Sequence, residues 1–531
     1  MENILLEKWN SEVVLGLKKP ERPPLIPFIN CDLALKLLDK HIRQKSVSLV
    51  HCDVDGDGIG SGKILIKTLG YLGYGPRYCK AAINHERVHG VTPKIVDVVK
   101  NNGIDFLIIL DSSTNSLDII KQIPCDVLVI DHHEVSHNEL IGNTTGGIYC
   151  IVNNTVSNSE YDRNRLGELG EYIADDRMSC GLVVFEFLRL YFKWLNQSED
   201  ILIYNNLHQW AAVTLLTDAV PLLSDRNQWY MENTFYTDEI ETTLSDLLHR
   251  LNKYKSCLSK SFVSFSLAPI LNKAIRAGQS SQALDAVLYH PSIVEGLNKY
   301  SEIQAKMIQT GEKLAKHTDS YIDVNTTDSG ISEWYFGVIA SRLSGDFGTN
   351  CICYHIVDGV ACGSFRGKHE GIDYREFFDK FSYEIFAQGH KTAFGFKAPI
   401  VYLDKIMDTL YTIEPNSLGK PYLTVGVMPI ELQGKYHLEE LAEFKKSGLL
   451  IQLAIANSKL SSSEVLPIIT TSNNIKEIRR RGKLIEYDAC GISCKAFEEI
   501  NSPLVSIYLE YSQEVEAYIR NYKITFREAR K

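Results

Sequence analysis

The sequence predicts an α/β protein whose first part is a parallel, doubly wound sheet, and three observations carry that expectation. "SVSLVHC", "DFLIIL" and "DVLVI" are continuous apolar runs of strand length, the pattern of strands covered on both faces between helix layers. The helix-like stretches "GKILIKTLGYLG" and "VTPKIVDVVKNNG" fall between the first and second of these runs, as in βαβ units. Each run also closes on reactive groups: His51 and Asp53 on the first, Asp111 on the second, Asp131, His132 and His133 on the third. The carboxyl edge of such a sheet is where α/β proteins hold ligands.

Taken in order, the 531 residues divide into four regions. Residues 1–235 alternate strand and helix. Residues 236–325 read as a helical connector, from amphipathic runs such as "DEIETTLSDLLHRLNKY" and "PSIVEGLNKYSEIQAKMIQTGEKLAKH". Residues 326–412 form a second, smaller α/β unit: "WYFGVIASRLSGDFG" leading into a helix, two strands in "NCICYHIVDGVACGSFRG" hinged at Asp358-Gly359, a helix in "YREFFDKFSYEIF", and a glycine-rich "QGHKTAFGF" with turn chemistry. An Asp-Gly pair between apolar runs is a strong hairpin signal. Residues 413–531 read as a β-rich domain of uncertain role, from "YLTVGVMPIEL", "LLIQLAIANSKL" and "LVSIYLEY".

Apolar content of 44% and charge of 23% are those of a soluble globular protein. No apolar run approaches the ~20 residues that span a bilayer, and the start "MENILLEKWN" lacks the core of a signal peptide, so a cytoplasmic protein without a membrane partner is expected. Twelve cysteines lie scattered without zinc-type pairs and read as buried, reduced thiols. A net charge of −10 excludes a surface coated for nucleic acid but leaves room for a local basic groove. The compact basic cluster Arg479-Arg480-Arg481-Gly482-Lys483 reads as a solvated loop.

The densest chemistry is "HCDVDGDGIGSG", His51 to Gly62. Its Asp53, Asp55 and Asp57 imitate a calcium loop, but the twelfth position, where a bidentate Glu is required, is Ile64. Its "GSGK" ending imitates a phosphate-binding P-loop, but the preceding glycine, Gly56, is one residue too far away, and Ile64 lacks the hydroxyl that would hold magnesium. An ordinary Asp/Gly turn would leave His51 without a purpose. A metal site at a strand end remains. The apolar run "WAAVTLLTDAVPL" closes on a further acid, Asp218. Carboxylates mixed with imidazoles suit manganese or another borderline divalent ion, and two such ions side by side activate water and clamp a phosphoryl group. Phosphoester hydrolysis is therefore the expected chemistry. "APILNKAIRAG" adds Asn272 and Arg276, four apart and on one face if the segment is a helix, with Arg276 read by default as an exposed helix arginine and alternatively as a fork for phosphate.

In this order and spacing "HCDVDGDG", "FLIILDSS", "VIDHH" and "LLTDAVPL" resemble the four metal-binding motifs of the DHH phosphoesterase superfamily. "LAPILNKAIRAG", "GVIASRL", "GSFRG" and "QGHKTAFGF" resemble the later segments of its RecJ-like single-strand exonucleases and their DHH-associated domain. The resemblance runs from about residue 47 to about residue 400. It implies His51, Asp53, Asp55, Asp57, Asp111, His132 and Asp218 as metal ligands, with Asp111 bridging two ions. Asp53 matches an acid of the RecJ pattern and His51 a ligand of the pyrophosphatase-like members, so their shares stay open. It further implies that His133 faces the scissile phosphate and that Asp131 supports the histidines. Asn272, Arg276, Ser341, Arg342, Ser364, Arg366, Gly389 and His390 would bind the nucleic-acid backbone or its terminal nucleotide. The cofactors implied are two divalent cations, Mn2+ preferred and Mg2+ as substitute. The partner implied is single-stranded DNA, with a single-strand-binding protein or helicase as accompanying protein. The activity implied is a 5′ to 3′ single-strand exonuclease of DNA recombination, repair or replication. Two rivals stand beside it: a phosphodiesterase of short oligoribonucleotides or cyclic dinucleotides, and a non-catalytic replication factor on the same fold. The chain departs from the pattern at "EWYF", where histidine and glutamate are usual, and after Gly389-His390, where alanines are mostly replaced. These departures fit a divergent relative, cellular or virus-encoded.

Overall fold

A computed structural model describes residues 21–412, apart from 86–87, 157–176, 221, 223, 236–238, 252–257, 319–320, 369–371 and 382–383, and beyond these chiefly the strands between 468 and 521. The described residues fall into two units, one up to residue 301 and one from 302 onward.

The first unit is built on a six-stranded sheet of order β2-β1-β3-β4-β6-β5. Its strands are β1 (Ser48–Cys52), β2 (Cys79–Ile83), β3 (Phe106–Leu110), β4 (Asp126–Asp131), β5 (Ile141–Asn143) and β6 (Ile148–Asn153). All neighbours are parallel except the β5–β6 pair. The unbroken apolar runs have a direct cause. Val50, Phe106, Ile108, Leu110, Leu128 and Ile130 enter one core, while Leu49, Leu107, Ile109, Val127 and Val129 enter another, so alternate residues of one strand feed opposite faces. The helices between 242 and 300 share the first of these cores, through Leu247, Leu271, Leu284 and Tyr300. Buried Lys63 joins them to the sheet layer, its Nζ donating to Thr243 Oγ1 at 2.5 Å and to the Val287 carbonyl at 3.1 Å.

The glycines of the opening motif lie within the helix that follows β1. The helix starts at Gly56 and runs to Tyr71. A Cβ at Gly58 would stand 2.7 Å from the Asp53 backbone, one at Gly60 2.4 Å from Thr214 Cγ2, and one at Gly62 2.4 Å from Cys52 Sγ. Glycine is required here for close approach of this helix to β1 and to the helix His208–Thr217. Gly60→Ala is accordingly expected to destabilise the protein by about 1–3 kcal/mol in urea unfolding, although alanine is the better helix former. A stabilised variant would contradict this packing.

The second unit holds a sheet of order β11-β12-β10-β9-β8-β7, from β7 (Lys316–His317), β8 (Tyr321–Asn325), β9 (Asn350–Val357), β10 (Val360–Arg366), β11 (Phe386–His390) and β12 (Ala393–Pro399). The helix Phe336–Phe347 makes the crossover between the parallel strands β8 and β9. Asp358 (φ 51) and Gly359 (φ 78) form the tight hairpin turn that their pairing demands. "QGHKTAFGF" is not a glycine-rich turn but most of the β11–β12 hairpin. There a Cβ at Gly389 (φ +135) would meet Ala393 O at 2.8 Å.

A third sheet, of order β13-β17-β18-β16-β15-β14, confirms a β-rich C-terminal region. Its strands are β13 (Ile468–Thr471), β14 (Ile475–Arg481), β15 (Leu484–Ala489), β16 (Ile492–Ala496), β17 (Leu504–Ser512) and β18 (Glu514–Asn521). The run "LVSIYLEY" supplies most of β17; "YLTVGVMPIEL" and "LLIQLAIANSKL" lie outside the described residues. Arg479, Arg480 and Arg481 belong to the edge strand β14 and not to a loop, and Lys483 lies outside the described residues. Every described cysteine is free and nearly all are buried. No helix among the described residues is long and apolar enough to cross a membrane.

Candidate metal centre

Parallel strands of one sheet end on one edge, so β1, β3 and β4 deliver Asp53, Asp111 and the Asp131-His132-His133 turn to a common place. Asp111 and Ser113 adopt left-handed conformations (φ 66 and 72), a cost that non-glycine residues accept chiefly where the surroundings impose it. Asp111 is buried and its Oδ1 lacks a hydrogen-bond partner, although His132 Nε2 lies 3.2 Å away.

His132 is oriented by its other nitrogen. Nδ1 donates to the Met178 carbonyl at 2.9 Å, which leaves Nε2 as a bare lone pair. That lone pair faces Asp111 Oδ1 at 3.2 Å, Asp218 Oδ2 at 3.7 Å and Asp57 Oδ2 at 3.8 Å. Asp218 is brought there by the C-terminal end of the helix His208–Thr217. Asp57 is fixed by the start of the helix Cys180–Trp194, whose first amides, Cys180 N and Gly181 N, donate to its two oxygens at 2.7 and 2.8 Å. Burial first, and then the neighbouring acids, pushes Asp57 and Asp111 well above the ordinary carboxylate range. An acceptor nitrogen and three acids turned on one another repel unless a cation lies among them, so the donor set fits a divalent ion. Among the described residues, Asp57, His132 and Asp218 form one group able to hold a metal, Asp111, His132 and His133 a second, and Asp53, Asp55 and His89 a third.

Asp131 plays another part. It is fully buried, and its Oδ1 accepts from His132 N (2.7 Å), His133 N (3.2 Å) and His133 Nδ1 (2.7 Å), while Oδ2 accepts from Thr114 N (3.1 Å). Burial alone would lower the His133 pKa, but the Asp131 carboxylate, with Asp53 and Asp218 beyond it, pushes it up to about 10. His133 is thus a half-exposed cation whose Nδ1 is committed to Asp131.

The first motif divides its acids. Asp55 caps the helix by accepting from Gly58 N at 2.9 Å. Asp53 accepts from Gly90 N at 2.8 Å and from His89 Nδ1 at 2.6 Å. His51 is buried in β1; Nε2 meets Asn84 Oδ1 at 3.2 Å and Nδ1 has no hydrogen-bond partner, and it belongs to none of the three groups. His89 was not foreseen in the sequence. It follows β2, whose "CKAAI" lacks the apolar run of a central strand; placing that strand would have directed attention to the same edge.

Of the expected nucleic-acid contacts, Asn272 and Arg276 lie on the helix Ala268–Arg276 of the first unit. In the second unit Arg366 Nε donates to Ser341 Oγ at 2.9 Å, and a Cβ at Gly337 would come within 2.8 Å of Arg366 Nη2 and 3.6 Å of Ser364 Oγ. Ser341, Ser364 and Arg366 are therefore gathered over Gly337. Arg342 turns to Asp346 at 2.9 Å. Gly389 accepts from Arg375 Nη1 at 3.0 Å through its carbonyl, and His390 ends β11.

The parallel sheet and the mixed acid and imidazole edge define an α/β protein with a divalent-cation centre. Residues 47–213 match the DHH family, N-terminal domain. The chain is 25% identical over 364 residues to the single-stranded-DNA-specific exonuclease RecJ of Salmonella typhimurium, a match covering 63% of this chain and 60% of that protein. In fold it is similar to RecJ of Thermus thermophilus in complex with Mn2+ (TM-score 0.66, 18% identity, 97% of this chain and 76% of that one). It is likewise similar to the same protein in complex with Mg2+ (TM-score 0.61, 17% identity, 97% and 75%).

Proposed function

We propose that the chain is a metal-dependent exonuclease that hydrolyses phosphodiester bonds of single-stranded DNA from the 5′ end, in recombination, repair or replication. The observation that carries the hydrolytic reading is His132 Nε2, held as a lone pair against Asp57, Asp111 and Asp218. The choice of substrate is supported by the specificity in the name of the Salmonella relative. One cation would be held by Asp57, Asp111, His132 and Asp218, and a second by Asp53 and Asp55 beside His89, with Asp111 between them. Mn2+ fits this mixed donor set better than Mg2+, which prefers oxygen alone. Such ions lower the pKa of a bound water and neutralise phosphate oxygens.

The chain's own residues do the rest. Asp131 keeps His133 protonated, so that this imidazolium supplies an N–H and a positive charge to the phosphate as negative charge develops there. The Met178 carbonyl holds the His132 tautomer. Arg276 and Arg366 bind backbone phosphates, with Ser341 orienting the Arg366 fork.

The test is incubation with Mn2+ and end-labelled DNAs, single- and double-stranded and blocked at either end, beside a short RNA and a cyclic dinucleotide. Nucleotide release from free 5′ ends of single strands, abolished by chelation and in Asp111→Ala and His132→Ala, is the expected result. Activity surviving in both variants would sink the metal assignment. Consumption of dinucleotides with long DNA inert would replace the substrate.

A further inference from the structure

The helix carrying Asn272 and Arg276 is entered through a π turn. Val263–Leu267 is π-helical, with Ala268 N–H donating to the Val263 carbonyl, a rare geometry frequent at functional sites. Val263, Leu267 and Ala268 stay in the core, while Phe265 is turned outward and is 59% exposed. Along the helix that follows, Ile270, Leu271, Ala274 and Ile275 point inward, and Pro269, Asn272, Lys273 and Arg276 make the outer side. Steps of four, three and four residues set Phe265, Pro269, Asn272 and Arg276 on one stripe.

An exposed phenyl ring on a protein surface is ordinary. This one shares its face with an amide and two cations, in a protein of net charge −10. Lys273 donates to Ser301 Oγ at 3.2 Å, and its ammonium form is disfavoured by partial burial and by Arg276 beside it; an anion along this face relieves that repulsion. The π turn packs against the helix that ends at Asp218, and the helix after it packs against the one that carries Asp57. The stripe is therefore built onto the elements of the metal centre.

We infer that Phe265 is a stacking platform for one base of a single-stranded nucleic acid whose phosphates run past Lys273 and Arg276. A nucleotide matches both halves of the stripe, since every base has a π face and every linkage an anion. The inference rests on the reading of the substrate as a single strand, and binding can be measured apart from hydrolysis.

The probe is a fluorescein-labelled thymidine oligonucleotide, titrated by anisotropy with the full chain in EDTA. Phe265→Ala is expected to weaken binding by about 5- to 150-fold, Phe265→Trp to retain it, and neither to move the melting temperature, because the ring is exposed. Replacing the thymidines by abasic sites one at a time should locate a position that costs wild type the same factor and costs Phe265→Ala nothing. No binding by the wild type, unchanged binding by Phe265→Ala, or a deficit that persists on a fully abasic strand would each overturn the inference. A protein that binds in the expected way but hydrolyses nothing would refute the hydrolytic function and leave the platform standing.

Discussion

Asp111→Asn is expected to cut hydrolysis by well over the 10- to 100-fold typical of losing a partner outside the metal's own ligands, while making the metal-free protein more stable. Asparagine is nearly isosteric and tolerates the left-handed backbone found at this position, so the turn should survive. What it removes is a buried negative charge set against Asp57 and Asp55, whose proximity adds to burial in raising the Asp111 pKa. The sign follows from linkage. A carboxyl whose folded pKa is raised contributes stability below its unfolded pKa of about 4, and that contribution is lost as pH rises through the folded value. The melting-temperature advantage of Asp111→Asn in EDTA should therefore grow between pH 5 and pH 8, by about 2–4 °C for each kcal/mol relieved. Added Mn2+ should reverse the order, stabilising the wild type more than the variant. Near-normal activity in the variant, or a lower metal-free melting temperature throughout, would contradict the role given to Asp111.

Asp131→Asn is expected to act in the opposite way on stability. One carboxylate satisfies four N–H groups around the His132-His133 turn. The best an amide can do is keep its oxygen toward the three donors at Oδ1 and set its NH2 against Thr114 N–H, donor against donor. The cost is about 1–3 kcal/mol for the unsatisfied buried donors, read from denaturant unfolding with and without Mn2+. Loss of the Asp131 charge also removes what holds the His133 pKa up to about 10, so His133 should titrate nearer the usual histidine range by NMR in the metal-free protein. Activity should fall about 10- to 100-fold, and more steeply at pH 8 than at pH 6, as His133 becomes neutral. A pH profile parallel to that of the wild type would show that His133 does not act as a cation.

The contrast between Asp131 and Asp53 shows what was legible in the chain and what was not. β1, β3 and β4 could be read because central strands of a parallel sheet feed two cores at once, leaving no polar gap in the run. Asp111, Asp131 and His132 could be placed because each sits where such a run stops. β2 is an edge strand, paired only with β1 among the described residues and partly exposed, and it offers no such run. The His89 contact with Asp53 went unseen with it. The capture of Asp57 by Cys180 and Gly181 joins residues 123 and 124 positions apart, and no local pattern announces that. The glycines from Gly56 to Gly62 were visible, but not their cause: Gly56 and Gly60 face Thr217 and Thr214 of a distant helix, and Gly58 and Gly62 face Asp53 and Cys52.

Everything proposed for this edge of the sheet depends on its holding metal ions in a pair. Titrating Mn2+ into the metal-free full chain, with electron paramagnetic resonance as readout, tests that without reference to any substrate. The expected spectrum at saturation is that of two exchange-coupled ions per chain, replaced in Asp111→Asn by the signal of isolated ions or by none. A wild-type protein that saturates without a coupled signal, or an Asp111→Asn variant that keeps one, would contradict the paired centre.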